Sequence, residues 1–412
     1  MNHTELRQTV ADVLARTPVI DMHTHLFPPS FGPIGLWGID ELVTYHYLEA
    51  ELFRSADITP EAYWRLPKSG RADAIWEALF VRHAPISEAT RGVVAVLSAL
   101  GLPTSAPDLR EARAFFAAQR IEDHSGRVMD LAGVSDVVMT NDPLEPDEAP
   151  AWLRGARPEA RYHAVLRLDR VLNKWPDNWQ TMAAQGYQVE EDAGGETVAE
   201  VRRFLDDWIA RMRPRYMAVS LPDTFRFPED SLRDRFLRHA VLPAGRDHRL
   251  PLSLMIGVRY QVNPALRLAG DAVGRADLRA LEHLCREFPD NRFLSSVLSR
   301  ENQHELVVYA RKFSNLMPFG CWWFLNNPSI VEEITRERIE MLGASFIPQH
   351  SDARVLEQLI YKWRNTRRTL TDILANTYSL LAEDGRPVSR ADVETDLRRM
   401  FRDNFERWCP VR

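Results

Sequence analysis

Two histidines separated by one residue, His23 and His25, are the first side chains whose type and spacing could support chemistry. Alternate residues of an extended chain point to the same side, so both imidazoles can reach one ion at about 2.0–2.1 Å. A second such segment, residues 350–354, reads His-Ser-Asp-Ala-Arg and offers a carboxylate and a guanidinium two residues apart. A histidine pair alone is weak evidence, because hydrogen-bonded or solvent-exposed pairs are at least as common. A carboxylate beside the pair would make a metal site with positions left open for water or substrate.

Short apolar runs bounded by turn residues alternate along the chain with helical patterns. Each run is almost continuously hydrophobic, which is typical of strands buried on both faces of a parallel sheet. The segments between the runs are predicted helices, of which Glu196–Arg213 has the clearest amphipathic period. We predict eight strands: Val19–His23, Val134–Thr140, Tyr162–Leu168, Tyr216–Pro222, Leu250–Gly257, Phe293–Ser299, Leu316–Trp323 and Ala344–Asp352.

Eight strands with helical crossovers predict an α/β fold, a closed (β/α)8 TIM barrel. The alternative is a doubly wound open sheet, which is weakened because no glycine-rich GxGxxG turn follows the first strand. The chain, residues 1–412, is predicted to form a single barrel domain. Residues from about 27 to 130 contain only helical patterns and turns, and we expect them to form a helical insertion on the rim. Extra helices are expected after the eighth strand.

The barrel would bring the chemistry-bearing residues together. Its active site lies at the carboxyl ends of the strands, and its first and eighth strands are neighbours. His23, His25 and Asp352 are therefore predicted to bind one divalent metal ion. A two-metal site bridged by a carbamylated lysine at the end of the fourth strand is not available, because no lysine lies between residues 175 and 311.

Arginine and aromatic residues follow several of the other predicted strands. Arg167 ends the third strand, and its planar fork suits a carboxylate or phosphate, although a rim ion pair explains any single arginine equally well. Trp322 and Trp323 end the seventh strand, where rim packing is commoner than a sugar platform. His46 and Tyr47, early in the insertion, could transfer protons or simply pack.

Composition excludes several classes of function. Lys+Arg 52 against Asp+Glu 58 gives a net charge of -6, which is too mild and too well mixed for binding to nucleic acid or an anionic membrane. No stretch reaches the roughly 18 uninterrupted apolar residues of a membrane span, and the N-terminal segment lacks the apolar core of a signal peptide. The 3 cysteines show no CxxC spacing and indicate reduced thiols. We therefore expect a soluble, cytoplasmic protein.

In these residues the chain resembles the uronate isomerase (glucuronate isomerase) family of the amidohydrolase superfamily, and its compact bacterial branch most closely. The similarity runs from about residue 18 to the C-terminus, which is nearly the whole chain. The elements that carry it are Asp21-Met22-His23-Thr24-His25, His46-Tyr47, Thr140-Asn141-Asp142-Pro143, Arg167, Phe319-Gly320-Cys321-Trp322-Trp323-Phe324 and Ser351-Asp352-Ala353-Arg354. Their ordered combination is far more specific than any one motif.

The resemblance implies a TIM barrel of the metal-dependent hydrolase type, a metal site and a reaction. A zinc-type ion would be held by His23, His25 and Asp352, and Arg167 and Arg354 would contact the substrate. The reaction would convert D-glucuronate to D-fructuronate and D-galacturonate to D-tagaturonate, by proton transfer from C2 to C1 through a cis-enediol.

Roles for the remaining site residues follow from the same resemblance. His46 and Tyr47 would lie near the reacting carbons as an acid/base relay, and Asp352 would be a metal ligand and a possible base. Trp322 and Trp323 would contact the sugar acid. The expected partner is this small molecule, a uronate, and we expect the protein to form a homo-oligomer.

Two other classes of function remain open from the residues. A metal-dependent hydrolase acting on a carboxylate-bearing substrate would use the same ligands to activate water. A sugar-acid sensor without catalysis would need a DNA-binding or signalling module, and none is recognisable in the sequence.

Overall fold

Seven parallel strands follow one another around a curled sheet in the computed structural model, which describes residues 2–410. The order is β1-β2-β3-β4-β5-β7-β8, and the short β6 pairs antiparallel with β5 outside this path. The strands are β1 (Val19–Thr24), β2 (Val134–Asn141), β3 (Tyr162–Arg167), β4 (Met217–Pro222), β5 (Leu252–Arg259), β6 (Ala272–Val273), β7 (Phe293–Val297) and β8 (Leu316–Pro318).

The strands are buried on both faces, as their nearly continuous apolar sequence predicts. β5 is buried at every position except Arg259. Alternate side chains join different apolar clusters: Val19 of β1 packs in the larger outer cluster, whereas Ile20 and Met22 pack in an inner cluster enclosed by the sheet. Helices therefore cover the outside of the curl, and strand side chains fill its inside.

Helices fill the connections between the strands. They are α1 (His3–Arg16), α2 (Ile39–Val43), α3 (His46–Ser55), α4 (Pro60–Arg65), α5 (Lys68–Trp76), α6 (Glu88–Leu100), α7 (Arg110–Ala117), α8 (Ile121–Ala132), α9 (Ala149–Leu153), α10 (Asp169–Leu172), α11 (Trp175–Ala184), α12 (Thr197–Met212), α13 (Leu232–Phe236), α14 (Leu242–Asp247), α15 (Arg279–Glu287), α16 (Gln303–Lys312), α17 (Pro328–Leu342), α18 (Gln358–Glu383), α19 (Arg390–Arg398) and α20 (Asn404–Trp408). Short 3-10 segments are Pro29–Phe31, Pro264–Gly270, Arg300–Asn302 and Trp323–Leu325, and π-helical turns are Glu77–Val81, Leu237–Val241 and Arg399–Asp403.

Seven helices, α2 to α8, lie between β1 and β2, in the region expected to be helical. The long helix α18 packs against α1, α6, α8 and α17, and so joins these helices to the end of the sheet. Within residues 2–410, every helix is too short or too polar to cross a lipid bilayer.

The last two predicted strands are wrong in their extent. β8 stops at Pro318, five residues before the predicted end, and residues 344–352 form no regular strand. Gly320 has a φ of +61° and Asp352 a φ of +52°, so neither is extended. Pro348 also lacks the amide proton that a ladder needs.

The eighth segment nevertheless contacts both edges of the sheet. On the β8 side, the Ile347 amide donates to the Pro318 carbonyl at 3.3 Å and the Gly320 amide to the Ile347 carbonyl at 2.9 Å. On the β1 side, the Asp352 amide donates to the His23 carbonyl at 3.2 Å and the His25 amide to the Ala353 carbonyl at 2.7 Å. These contacts bring the carboxylate beside the two histidines.

Candidate metal centre and flanking cavities

The three predicted metal ligands meet at the carboxyl end of β1. Asp352 Oδ1 lies 3.6 Å from His23 Nε2 and 3.3 Å from His25 Nε2. The ligand atoms of all three residues lie within 4.8 Å of one another, which suits a group that holds a metal ion. The register shifts between Asp21 and Thr24, where β1 contains one more residue than the paired segment of β2. Bulges of this kind re-aim side chains next to active sites.

Hydroxyl groups hold the other ring nitrogen of each histidine. Tyr216 Oη lies 3.4 Å from His23 Nδ1, and Thr140 Oγ1 lies 2.9 Å from His25 Nδ1. Each hydroxyl donates its own proton to a main-chain carbonyl of β1, at 2.5 Å for Tyr216 and 3.2 Å for Thr140. Each hydroxyl must therefore accept from an Nδ1–H, which leaves the lone pair of both Nε2 atoms facing Asp352.

Both histidines are neutral. Burial lowers the pKa of His25 to about 4, and burial and then the neighbouring His350 lower that of His23 well below its usual value. The contacts of Asp352 with the histidines are consequently not ion pairs.

The donor set fits a divalent cation. Among the described residues, the buried Oδ1 of Asp352 has no hydrogen-bond donor. Two imidazole lone pairs and one carboxylate therefore converge with no proton between them, an arrangement that a cation would stabilise. Two nitrogen ligands and one oxygen ligand are a common set for a catalytic zinc ion.

Asp21 holds the backbone of the third ligand in place. Its carboxylate accepts from the Ser351 amide at 3.0 Å and from the Trp363 indole of α18 at 2.8 Å. Burial raises the pKa of Asp21 to about 6. The residue after Ser351, Asp352, has a left-handed φ of +52°, a conformation that persists where surrounding contacts enforce it. Asp21 belongs to a motif that is recognisable in the sequence, but nothing there indicated this role.

A cavity of about 340 Å³ lies on one side of the centre and contains Arg167. His25, Thr140 and Tyr260 line it as well. Both nitrogens of one edge of Arg167 are occupied, since Nε and Nη2 donate to Asp169 at 2.8 and 3.1 Å. Arg167 therefore faces the cavity as one half of an ion pair.

A second cavity, of about 300 Å³, contains His46 and Arg354. The Arg354 guanidinium has no carboxylate within 4 Å in the part of the chain that the structure describes. His46 begins α3 and is buried, and its Nε2 has no partner among residues 2–410. Burial, and then the charge of Arg354, lower the pKa of His46 to about 3.

Tyr45 is a residue that the sequence reasoning missed. It lines the second cavity beside His46, with ring centroids 4.2 Å apart. Tyr47 lines neither cavity; its ring packs 4.9 Å from that of Tyr45, with the Lys362 ammonium 5.6 Å from its centroid. The sequence signal that could have identified Tyr45 is its position as an aromatic residue directly before His46 and Tyr47.

The two tryptophans lie in different surroundings. Trp322 is buried in the inner apolar cluster of the sheet. Trp323 has a φ of +47°, and its ring centroid lies 5.9 Å from that of His46. Trp323 is therefore the tryptophan that faces the second cavity's histidine.

The fold and the site together define a class: an α/β protein whose curled parallel sheet presents a His-His-Asp metal-binding group at the carboxyl ends of its strands. No protein-family model and no curated protein matches the chain. Among solved structures, it is similar to a uronate isomerase from Bacillus halodurans, with 50% identity, 100% of this chain and 98% of that chain covered, and a TM-score of 0.98.

Two further structures share the fold at low identity. A uronate isomerase from Thermotoga maritima is 14% identical, covers 99% of this chain and 98% of its own, and has a TM-score of 0.79. A glucuronate isomerase from Caulobacter crescentus is 15% identical, with coverages of 98% and 94% and a TM-score of 0.77. On the full-length similarity at 50% identity, the chain belongs to the uronate isomerase family.

Proposed function

We propose that the protein isomerises D-glucuronate to D-fructuronate and D-galacturonate to D-tagaturonate. The observation that carries this proposal is the His23–His25–Asp352 group, together with two cavities that each contain an arginine, one lined by His25 and the other by Arg354. Membership of the uronate isomerase family supports the same reaction. One divalent ion, zinc by its donor set, would be held by the three ligands and would polarise an oxygen of the sugar acid.

The reaction moves a proton from C2 to C1 of the open-chain aldehyde. We assign its removal to His46, because this imidazole is neutral and its buried Nε2, which has no partner among residues 2–410, can accept a proton. Asp352 is the alternative base, but its carboxylate would already be bound to the metal ion. The hydroxyls of Tyr45 and Tyr47 next to His46 would relay the proton.

Arginines would bind the charges of the substrate and of the enediolate. Arg354, which lies close to His46 and has no carboxylate within 4 Å among the described residues, would stabilise the developing oxyanion. Arg167 in the other cavity would contact the carboxylate or a hydroxyl with the edge that Asp169 leaves free. Trp323 would pack against the sugar, and Trp322 would support it from the inner cluster.

The experiment is to incubate the purified protein with a panel of uronates and to detect the ketose, first in water and then in D2O. Deuterium should enter the product at the carbon that receives the proton, in part or fully. Tyr47→Phe should slow turnover by roughly 10²-fold without loss of metal if its hydroxyl relays the proton, and Tyr45→Phe is the matched comparison. A protein that leaves every uronate unchanged but hydrolyses an amide, ester or lactone would contradict the proposal.

Three further properties complete the proposal. The hydrogen bonds of residues 347–353 to β8 and β1 support a sheet closed as a (β/α)8 barrel. We propose a cytoplasmic location, since the 3 cysteines are unpaired and buried, as in a reducing compartment. A homo-oligomer remains a prediction, which light scattering on the purified protein would test.

A further inference from the structure

The cavity that contains His46 opens into a cluster of positive charge. Four cationic side chains line it, against two carboxylates: Lys68, Arg71, Arg267, Arg354, Glu41 and Glu49. Both carboxylates already have donors. Glu41 accepts from the Lys68 ammonium at 2.5 Å, and Glu49 accepts from the Tyr63 hydroxyl at 2.9 Å and lies 3.5 Å from Arg71. The cavity, called the cationic vestibule below, therefore carries excess positive charge.

One indole holds two of the guanidinium groups close together. The Cζ atoms of Arg71 and Arg267 lie 5.6 and 4.4 Å from the ring of Trp64. The Trp64 indole N–H also donates to the Ala265 carbonyl at 2.8 Å, which ties α4 to the segment after β5. Arg267 has no carboxylate within 4 Å among residues 2–410. Like charges arranged in this way lower the energy of an anion placed between them.

Two observations indicate that the vestibule is built for a ligand. Arg267 has φ +55° and ψ -126°, a conformation that glycine adopts far more readily, so this position retains a charged side chain in spite of backbone strain. His46 is only 9% exposed, lines the vestibule, and has an Nε2 atom without a partner in the described part of the chain. Unpaired buried polar atoms of this kind mark sites completed by a ligand or water.

We propose that the cationic vestibule is an anion-binding subsite that takes the carboxylate of the free sugar acid before the sugar reaches His23, His25 and Asp352. The identity of the anion rests on the proposed function; the subsite itself rests on the geometry. Fixed positive charge at an entrance raises the local concentration of an anionic substrate and the rate at which it associates. This effect weakens as salt shortens the Debye length.

The kinetic test compares kcat/KM for D-glucuronate at about 0.01 M and about 1 M ionic strength, where the Debye length falls from about 30 to about 3 Å. Arg267→Gly removes the charge and suits the local backbone, and Arg71→Gln is a second variant. At low salt each should lower kcat/KM by about 3–10-fold, with kcat lowered less than about twofold, and the difference should vanish at high salt. Arg390→Gln, on the exposed α19, is the control.

Binding of inorganic sulfate to the metal-loaded protein, measured by titration calorimetry, separates this subsite from the proposed reaction. Sulfate affinity should fall at least about tenfold in Arg267→Gly and stay unchanged in Arg390→Gln. If sulfate binding is lost in Arg267→Gly while no uronate is isomerised, the reaction is wrong and the subsite stands. The subsite would be overturned by equal sulfate affinity in the wild type, Arg267→Gly and Arg390→Gln. An unaltered salt dependence of kcat/KM in Arg267→Gly would overturn it as well.

Discussion

At the scale of the residue, two hydroxyl groups decide the chemical state of the metal centre. Tyr216 and Thr140 hold the Nδ1 protons of the two histidines, so that both Nε2 lone pairs point to the same place as Asp352. Burial keeps both rings neutral. A ligand histidine depends on such a partner for its tautomer and its ring orientation.

Replacing Thr140 should weaken metal binding without removing a ligand. Thr140→Val keeps the shape of the side chain but removes the acceptor at His25 Nδ1, and we expect about 10–100-fold lower metal affinity, measured by competition with a chelator. Tyr216→Phe should behave alike at His23. Thr395→Val, on the exposed face of α19, is the matched control. Unchanged affinity in both site variants would mean that the hydroxyls do not set the tautomers.

The lowered pKa of His46 predicts an unusual pH profile. A base acts only when it is deprotonated, and a pKa of about 3 keeps His46 neutral across the acid range. kcat/KM should therefore stay nearly flat from about pH 8 to about pH 5.5, whereas a histidine with an ordinary pKa near 6.5 would lose about tenfold over the same range. Metal content is to be checked at each pH. An acid limb near pH 6.5 with the metal retained would exclude His46 as the base.

At the scale of the element, the loop after β8 and the segment before α18 are shaped by close packing. A Cβ atom on Gly320 would lie 1.8 Å from His350 Nδ1, and Gly320 has a φ of +61°. The buried Arg338 of α17 donates to the Gly320 carbonyl at 2.7 Å. His350 in turn packs edge-on to His23, with ring centroids 5.3 Å apart. Through His350, the loop thus packs against His23 of the candidate metal centre.

Gly320→Ala tests this packing against a matched glycine. The new methyl group must displace His350. We therefore expect the free energy of unfolding to fall by about 1–3 kcal/mol more than backbone strain alone would cause, and we expect metal binding to weaken. Gly343→Ala is the control, because Gly343 has a φ of +59° and a methyl group there would meet no described atom within 4 Å. Urea unfolding of both variants provides the comparison. Equal losses in the two variants would show that only backbone strain matters at Gly320.

At the scale of the whole molecule, one metal ion would join the two ends of the sheet. Two ligands come from the first strand and its end, and the third comes from the segment after β8, more than three hundred residues later in the chain. Only the folded protein brings these ligands together, so metal binding stabilises the folded state.

Elemental analysis should find close to one divalent ion per chain, and its removal should lower Tm. With the ion at 100 times its Kd, the folded state gains about 2.7 kcal/mol. His23→Ala should lose both the ion and the dependence of Tm on added metal, while a substitution of the exposed Leu380 by alanine should retain both. Two ions per chain held through other ligands would contradict the single-ion centre.

The sequence by itself predicted seven of the parallel strands, apart from their exact ends, and the His-His-Asp group that could hold a metal ion. Continuous apolar runs such as β5 are recognisable without tertiary context, since they report burial on both faces. The HxH spacing at the end of β1 is equally local. Together with the resemblance, these patterns also predicted the family to which the chain belongs.

Only the tertiary structure decided what surrounds those ligands. Tyr216, Asp21 and Trp363 act on the centre through hydrogen bonds between residues distant in sequence, and no local pattern reports such pairs. The need for glycine at position 320 is also set by packing, because a Cβ atom there would meet His350, thirty positions later. The lack of a carboxylate partner for Arg354 among the described residues likewise depends on three-dimensional proximity.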